Sequence, residues 1–241
     1  HAYAHDMGRE EIQAILGWKK QYGVEISMFT PEILAYPYSL TSSMEKERRE
    51  TIEYLLKSVE TAARLGTDKM QITAKHPGYG VKRETVWGYL EEGTSILCRR
   101  AGELGVDIIL ESLSPSEGNT ITCVDDILEL QERVNSPALC AMIDMVPPFI
   151  ANEPYSDYLE RLGTSMKYVH ICNGDGTTEF HMQLDDRNGV IPVADFFRIL
   201  KRYGYDGWCS LELLNPYFRD PELYLSEAQR CIRRIRQELE L

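Results

Sequence analysis

Four apolar runs in this chain end on a residue that can bind a cation or move a proton. They are Val106-Asp107-Ile108-Ile109-Leu110-Glu111, Cys140-Ala141-Met142-Ile143-Asp144, Lys167-Tyr168-Val169-His170 and Trp208-Cys209-Ser210-Leu211-Glu212. Each reads as a short buried strand closed by a polar side chain. One carboxylate at a strand end is as readily a cap or a salt-bridge partner, and one His on an apolar strand is more often a core residue. Four on successive strands are another matter, because parallel α/β folds bind ligands beyond the carboxyl ends of their strands. Glu111, Asp144, His170 and Glu212 are therefore expected to share one site. Three carboxylates with one imidazole make an oxygen-rich donor set that suits Mn²⁺, with Mg²⁺ or Co²⁺ as alternatives, better than a thiolate-seeking metal. Lacking a cation, the carboxylates would repel one another and one would have to stay protonated.

Two other residues point to the same rim. Glu117 lies in the loop after Glu111, beside Ser112, Ser114 and Pro115, within reach of a substrate or simply solvated. His76 follows the run Lys69–Thr73 in Ala74-Lys75-His76-Pro77-Gly78-Tyr79. Neither resembles a nucleophile, and the chain holds no Gly-x-Ser-x-Gly elbow and no glycine-rich phosphate loop.

These side chains need elements to hold them. Amphipathic helices end repeatedly at Gly or Asn and pass straight into an apolar run, at Gly23, Gly66, Gly105, Asn135, Gly163 and Gly204. Gly and Asn tolerate the left-handed conformation that closes a helix. Spacings of roughly 30 to 45 residues suit one helix and one strand each. Helices are predicted over Arg9–Tyr22, from a Ser42/Glu45 capping box through Ala63, around Trp87–Leu104, and over Val124–Val134, Ser156–Leu162 and Val193–Tyr203. A last helix starts at Asp220 with Pro221 in its first turn. Strands are predicted at Val24–Phe29, Lys69–Thr73, Asp107–Glu111, Cys140–Asp144, Lys167–Cys172 and Trp208–Leu213. Six strands alternating with helices give a parallel α/β sheet, either open and doubly wound or part of an eight-stranded barrel. The irregular stretch from Asn173 to Pro192 is long enough to be functional.

Composition narrows the class. With 241 residues, 43% of them hydrophobic, the chain can build one core and is expected to be a single domain over 1–241. Lys and Arg number 26 against 38 Asp and Glu, a formal charge of -12 that repels nucleic acid and anionic membranes. No apolar run approaches the ~20 residues of a membrane span, and no charged-then-apolar signal opens the chain, so a soluble cytoplasmic protein is expected. The cysteines, Cys98, Cys123, Cys140, Cys172, Cys209 and Cys231, form no Cys-x-x-Cys pair. They read as reduced thiols acting as small hydrophobes.

The motifs Thr30-Pro31-Glu32 with Ala35-Tyr36-Pro37-Tyr38, Ala74-Lys75-His76-Pro77-Gly78-Tyr79, Leu110-Glu111-Ser112-Leu113 with Glu117, Met142-Ile143-Asp144, Val169-His170-Ile171 and Leu211-Glu212-Leu213 carry a resemblance. Over nearly its whole length the chain resembles the xylose-isomerase-like TIM barrels of the sugar isomerase/epimerase group. That resemblance implies a (β/α)8 barrel whose first two strands precede His1. It implies a metal on Glu111, Asp144, His170 and Glu212, with Mn²⁺ foremost, and substrate contacts from Glu117, His76, His181 and Tyr38. It also implies a metal-dependent 3-epimerase of a ketose or of a fructosamine such as fructoselysine, acting through an enediolate. Glu111 and Glu212 would be the base and acid on opposite faces. A small sugar is the expected partner, and a homo-oligomer the expected assembly. The alternatives are an aldose–ketose isomerase or an inosose dehydratase on the same metal, or a non-catalytic sugar-binding descendant. The enzymes of simple ketoses carry a His three positions after the metal Asp and an Arg six after the metal His; Pro147 and Gly176 stand there instead. Both departures argue against a free ketohexose as substrate.

Overall fold

The computed structural model describes residues 1–214 and 219–240, in two compact units, His1–Ala141 and Met142–Leu241. The first holds α1 (Arg9–Tyr22), α2 (Glu45–Leu65), β1 (Lys69–Thr73), α3 (Arg83–Leu104), β2 (Asp107–Glu111), α4 (Val124–Val134) and the first half of β3 (Leu139–Asp144). Its strands lie in the order β1-β2-β3 and run parallel, with Met70 opposite Ile108, Thr73 opposite Glu111, and Leu110 opposite Ala141. The second holds the rest of β3, then α5 (Val146–Ile150), α6 (Tyr155–Leu162), β4 (Met166–Ile171), α7 (Val193–Arg202), β5 (Trp208–Leu211) and α8 (Pro221–Leu239). There the order is β3-β4-β5, with His170 opposite Ser210 and Ile171 opposite Leu211.

The interiors of β2 and β3 are apolar without alternation because a parallel sheet is covered on both faces. Ile108, Ile109 and Leu110 are fully buried, each contributing about 1.5–3 kcal/mol relative to exposure. Helix α2 buries hydroxyls as well as Tyr54, Leu55, Val59 and Ala62. Thr51, Ser58 and Thr61 donate to the carbonyls of Glu47, Tyr54 and Lys57 one turn back, which satisfies them inside the core. The six predicted Gly and Asn junctions all carry positive φ, from 46° at Asn135 to 73° at Gly66.

Three expectations are corrected. The strand predicted at Val24–Phe29 shrinks to one parallel bridge, Phe29 with Met70. Phe29 is buried, whereas Val24 is 52% exposed and Glu25 is drawn to Lys19, so only the last residue of the run has a reason to face the sheet. The Ser42/Glu45 capping box does not form. Ser42 Oγ instead donates to Glu47 at 2.6 Å and accepts the Met44 N–H at 3.1 Å, leaving Met44 at the N-cap position. The last strand stops at Leu211, one residue before Glu212.

The stretch from Asn173 to Pro192 is knotted around one buried side chain. Asn173 exchanges backbone hydrogen bonds with Met182. Its amide accepts from the N–H groups of Gly174 and Ile191, each at 2.9 Å, and donates to Leu184 O at 3.1 Å. A Cβ at Gly189 would stand 2.2 Å from Asn173 Cγ. Gly189→Ala is therefore expected to cost about 1–3 kcal/mol and to lower Tm. Gly88→Ala, on α3 with nothing within 4 Å of an added Cβ, should leave Tm unchanged or raise it; equal melting of the two would refute the knot.

Candidate metal centre

In the second unit the site is built on Asp144, at the carboxyl end of β3 and 2% exposed. Its Oδ1 accepts the Val146 N–H at 2.7 Å, where α5 begins, and lies 3.2 Å from His181 Nε2 and 3.9 Å from Cys172 Sγ. Its Oδ2 faces the other way, 3.6 Å from His170 Nδ1, buried and without a hydrogen-bond partner. His170 Nδ1 is 2.6 Å from Glu212 Oε2. Although β5 has ended, the Glu212 N–H still donates to Ile171 O at 3.2 Å, which holds its side chain beside β4. Asp144, His170 and Glu212 thus each offer a ligand atom within 4.8 Å of the others.

His181 arrives from the knotted loop. The Leu214 N–H donates to its carbonyl at 3.2 Å, and its Nε2 lies 3.7 Å from Glu179 as well as beside Asp144. Burial disfavours its imidazolium, but the Asp144 carboxylate, helped by Glu212 and Glu179, outweighs burial and pushes the pKa up to about 10. Asp144 shows the converse. Burial alone would raise it, and His181 and His170 hold it well below the usual carboxylate range. A pocket that keeps the Asp144 carboxylate ionised, with one of its oxygens buried and unpartnered, fits a divalent cation with oxygen and imidazole ligands.

In the first unit Glu111 closes β2 and is 7% exposed. Gln71, on β1, donates a short hydrogen bond to its Oε2. Thr30 donates to Gln71 Oε1 at 2.8 Å, which fixes which end of the amide faces the carboxylate. Glu117 is half-buried in the loop after β2, its N–H on Ser114 O. His76 is exposed and accepts the Gly78 N–H at 3.0 Å. Tyr38 stacks on Tyr54 at 4.1 Å and shares a hydrogen bond with Tyr3 at 3.1 Å. Sequence reading missed Gln71, whose signal was a lone amide inside the buried run Met70-Gln71-Ile72. It also missed Cys172 beside Asp144, whose signal was its spacing of two from His170, which puts both on one face of a strand.

The profile of the xylose isomerase-like TIM barrel family matches residues 1–235. The chain belongs to that family. Two curated members of similar sequence are the fructoselysine 3-epimerases of Escherichia coli O157:H7 and Shigella flexneri. Each is 32% identical over 228 residues, which span 95% of this chain and 82% of theirs. Among solved structures, a D-tagatose 3-epimerase-like protein matches with a TM-score of 0.86 at 19% identity, over 98% of this chain and 86% of that one. The D-psicose 3-epimerase of Clostridium cellulolyticum H10 matches with 0.80 at 16%, over 96% and 84%. These relatives within and around the xylose isomerase-like family are enzymes, sugar epimerases. Five parallel strands of its barrel fold lie among the described residues, and no helix there is long and apolar enough to cross a membrane.

Proposed function

We propose that this protein is a metal-dependent sugar 3-epimerase acting on a ketose or, by preference, on a fructosamine of the fructoselysine kind. The observation that carries the reading is Asp144, buried at a strand end with one oxygen lacking a donor and with His170 and Glu212 converging on it. Glu111, buried at the end of β2, is the fourth ligand in this proposal. A divalent cation, Mn²⁺ first, would polarise the sugar carbonyl and stabilise the negative charge that develops when the neighbouring carbon loses its proton. Of the two glutamates, one removes the proton from carbon 3 on one face and the other returns a proton on the opposite face. Gln71 orients the Glu111 carboxylate for that task. His181, Glu117, His76 and Tyr38 are the residues proposed to bind and orient the sugar. The same reading makes the protein a cytoplasmic homo-oligomer with a small sugar as its partner, and the whole chain one barrel domain.

The test uses the full chain freed of metal by chelation, in deuterated water, with fructoselysine, D-psicose and D-tagatose. Added Mn²⁺ should bring deuterium to carbon 3 together with the second epimer, and a chelator should stop both. An absence of metal-dependent exchange with every substrate would sink the proposal, and an aldose product would move it to the isomerases.

A further inference from the structure

Three donors on the far side of Asp144 form a group that the epimerase reading uses only in part, Asp144 toward the catalytic cation and His181 toward the sugar, with Cys172 given no role. Asp144, Cys172 and His181 are 2%, 0% and 7% exposed, and their ligand atoms all lie within 4.8 Å of one another. The measured edges are 3.2 Å from Asp144 Oδ1 to His181 Nε2 and 3.9 Å from Oδ1 to Cys172 Sγ. A tetrahedral zinc ion, with bonds of about 2.0–2.3 Å, sets ligand–ligand edges of roughly 3.3–3.7 Å. The two edges at Asp144 Oδ1 are therefore already spaced as such an ion requires, to within a few tenths of an ångström, and the third lies within 4.8 Å.

We propose that Asp144, Cys172 and His181 form a second cation site, selective for a thiophilic divalent ion such as Zn²⁺ or Cd²⁺, which shares the Asp144 carboxylate with His170 and Glu212. The two oxygens of Asp144 divide between the sites, Oδ2 toward His170 and Oδ1 toward His181 and Cys172. Softness separates them. The His170 side offers oxygen and one imidazole, which suits Mn²⁺ or Mg²⁺, whereas a sulfur ligand selects zinc-like ions. Three protein ligands leave the fourth tetrahedral position open. As the sulfur–metal bond forms, the thiol proton leaves to solvent and no electron changes hands.

Cd²⁺ added to the metal-free full chain is the probe, because sulfur-to-cadmium charge transfer absorbs in the ultraviolet. The band should saturate at one ion per chain, vanish in Cys172→Ala, persist in Cys98→Ala and Cys231→Ala, and be displaced by Zn²⁺ but not by Mg²⁺. A band that survives Cys172→Ala, or no band from folded wild-type protein, overturns the site. Should Cys172→Ala fail to fold, the ¹¹³Cd resonance of the wild-type complex decides instead. A shift typical of one sulfur ligand supports the site and a shift typical of oxygen and nitrogen alone refutes it. No sugar enters this experiment, so its failure leaves the epimerase proposal standing, and failure of epimerisation leaves the band intact.

Discussion

Asp144→Asn is expected to lose the catalytic cation and to lower kcat/KM roughly 10³-fold, the scale seen when one electrostatic stabiliser of a transition state is removed. The substitution preserves volume, and the amide oxygen can still accept the Val146 N–H that now bonds Oδ1 at 2.7 Å, so the start of α5 should survive. What disappears is the charge. Asp144 is the buried ligand of the proposed site whose carboxylate is held ionised by two imidazoles, and an amide brings neutral oxygen and a nitrogen that repels cations. Equilibrium dialysis against Mn²⁺ checks the first half of the claim and steady-state kinetics the second. Retention of metal with an unchanged kcat/KM would remove Asp144 from the site altogether.

The same substitution should change how the metal-free protein responds to pH. His181 gains its proton on folding, since its pKa rises from the ordinary 6.5 to about 10. The sign follows from linkage: this contribution to stability is fully present below about pH 6.5 and disappears as pH climbs toward about 10. Asp144 acts oppositely. Its pKa falls from the ordinary 3.8, so its contribution is present above about pH 4 and is lost as pH drops further. Metal-free wild-type protein should therefore melt highest between about pH 4 and 6.5, with Tm declining on the alkaline side. Asp144→Asn should flatten that decline, because His181 then loses the main charge that holds its proton against burial, leaving only Glu212 and Glu179; an unaltered slope would show that the His181–Asp144 pair does not set it.

Much of this arrangement could be read from residue types because local physics fixes it. Gly66 and Gly105 close helices in a conformation that costs other residues energy, and the apolar runs behind them have no choice but to be strands. Asp144, His170 and Glu212 come together because parallel strands in register bring their carboxyl ends to one rim. The misreadings arise where two local options compete. Ser42 can cap α2 or bond Glu47, and the structure takes the second. Val146-Pro147-Pro148-Phe149-Ile150, to which no element was assigned, forms α5, since proline suits a first helical turn, whose N–H groups lack partners anyway. The pairing of His181 with Asp144 crosses 37 positions and leaves no periodic trace. Cys172 was hidden by its own chemistry, since a thiol packs as a small hydrophobe until a carboxylate is found beside it.

Glu111→Gln and Glu212→Gln are each expected to reduce epimerisation by about 10²–10⁴-fold, the usual worth of a general acid or base, while affecting proton exchange unequally. Inversion at one carbon needs two proton-handling groups on opposite faces. Removing the group on one face leaves the other able to take a proton from the epimer that presents one and to return it from solvent to the same side. Each variant should therefore retain deuterium exchange at carbon 3 for one epimer and lose it for the other, and the retained epimer should swap between the two variants. Glutamine keeps a carbonyl oxygen for the cation, so metal loss is less severe than in Asp144→Asn, and Mn²⁺ titration separates that contribution. In Glu111→Gln the Gln71 amide still finds an acceptor, the side chain fixed in place by Thr30. Glu212, 32% exposed at its side chain and 2.6 Å from His170, has more room to relax, so its variant should show the larger change in KM. If both variants lost exchange for the same epimer, one glutamate would be serving only as a ligand and the second proton-handling group would have to be sought elsewhere, with His181 the first residue to replace.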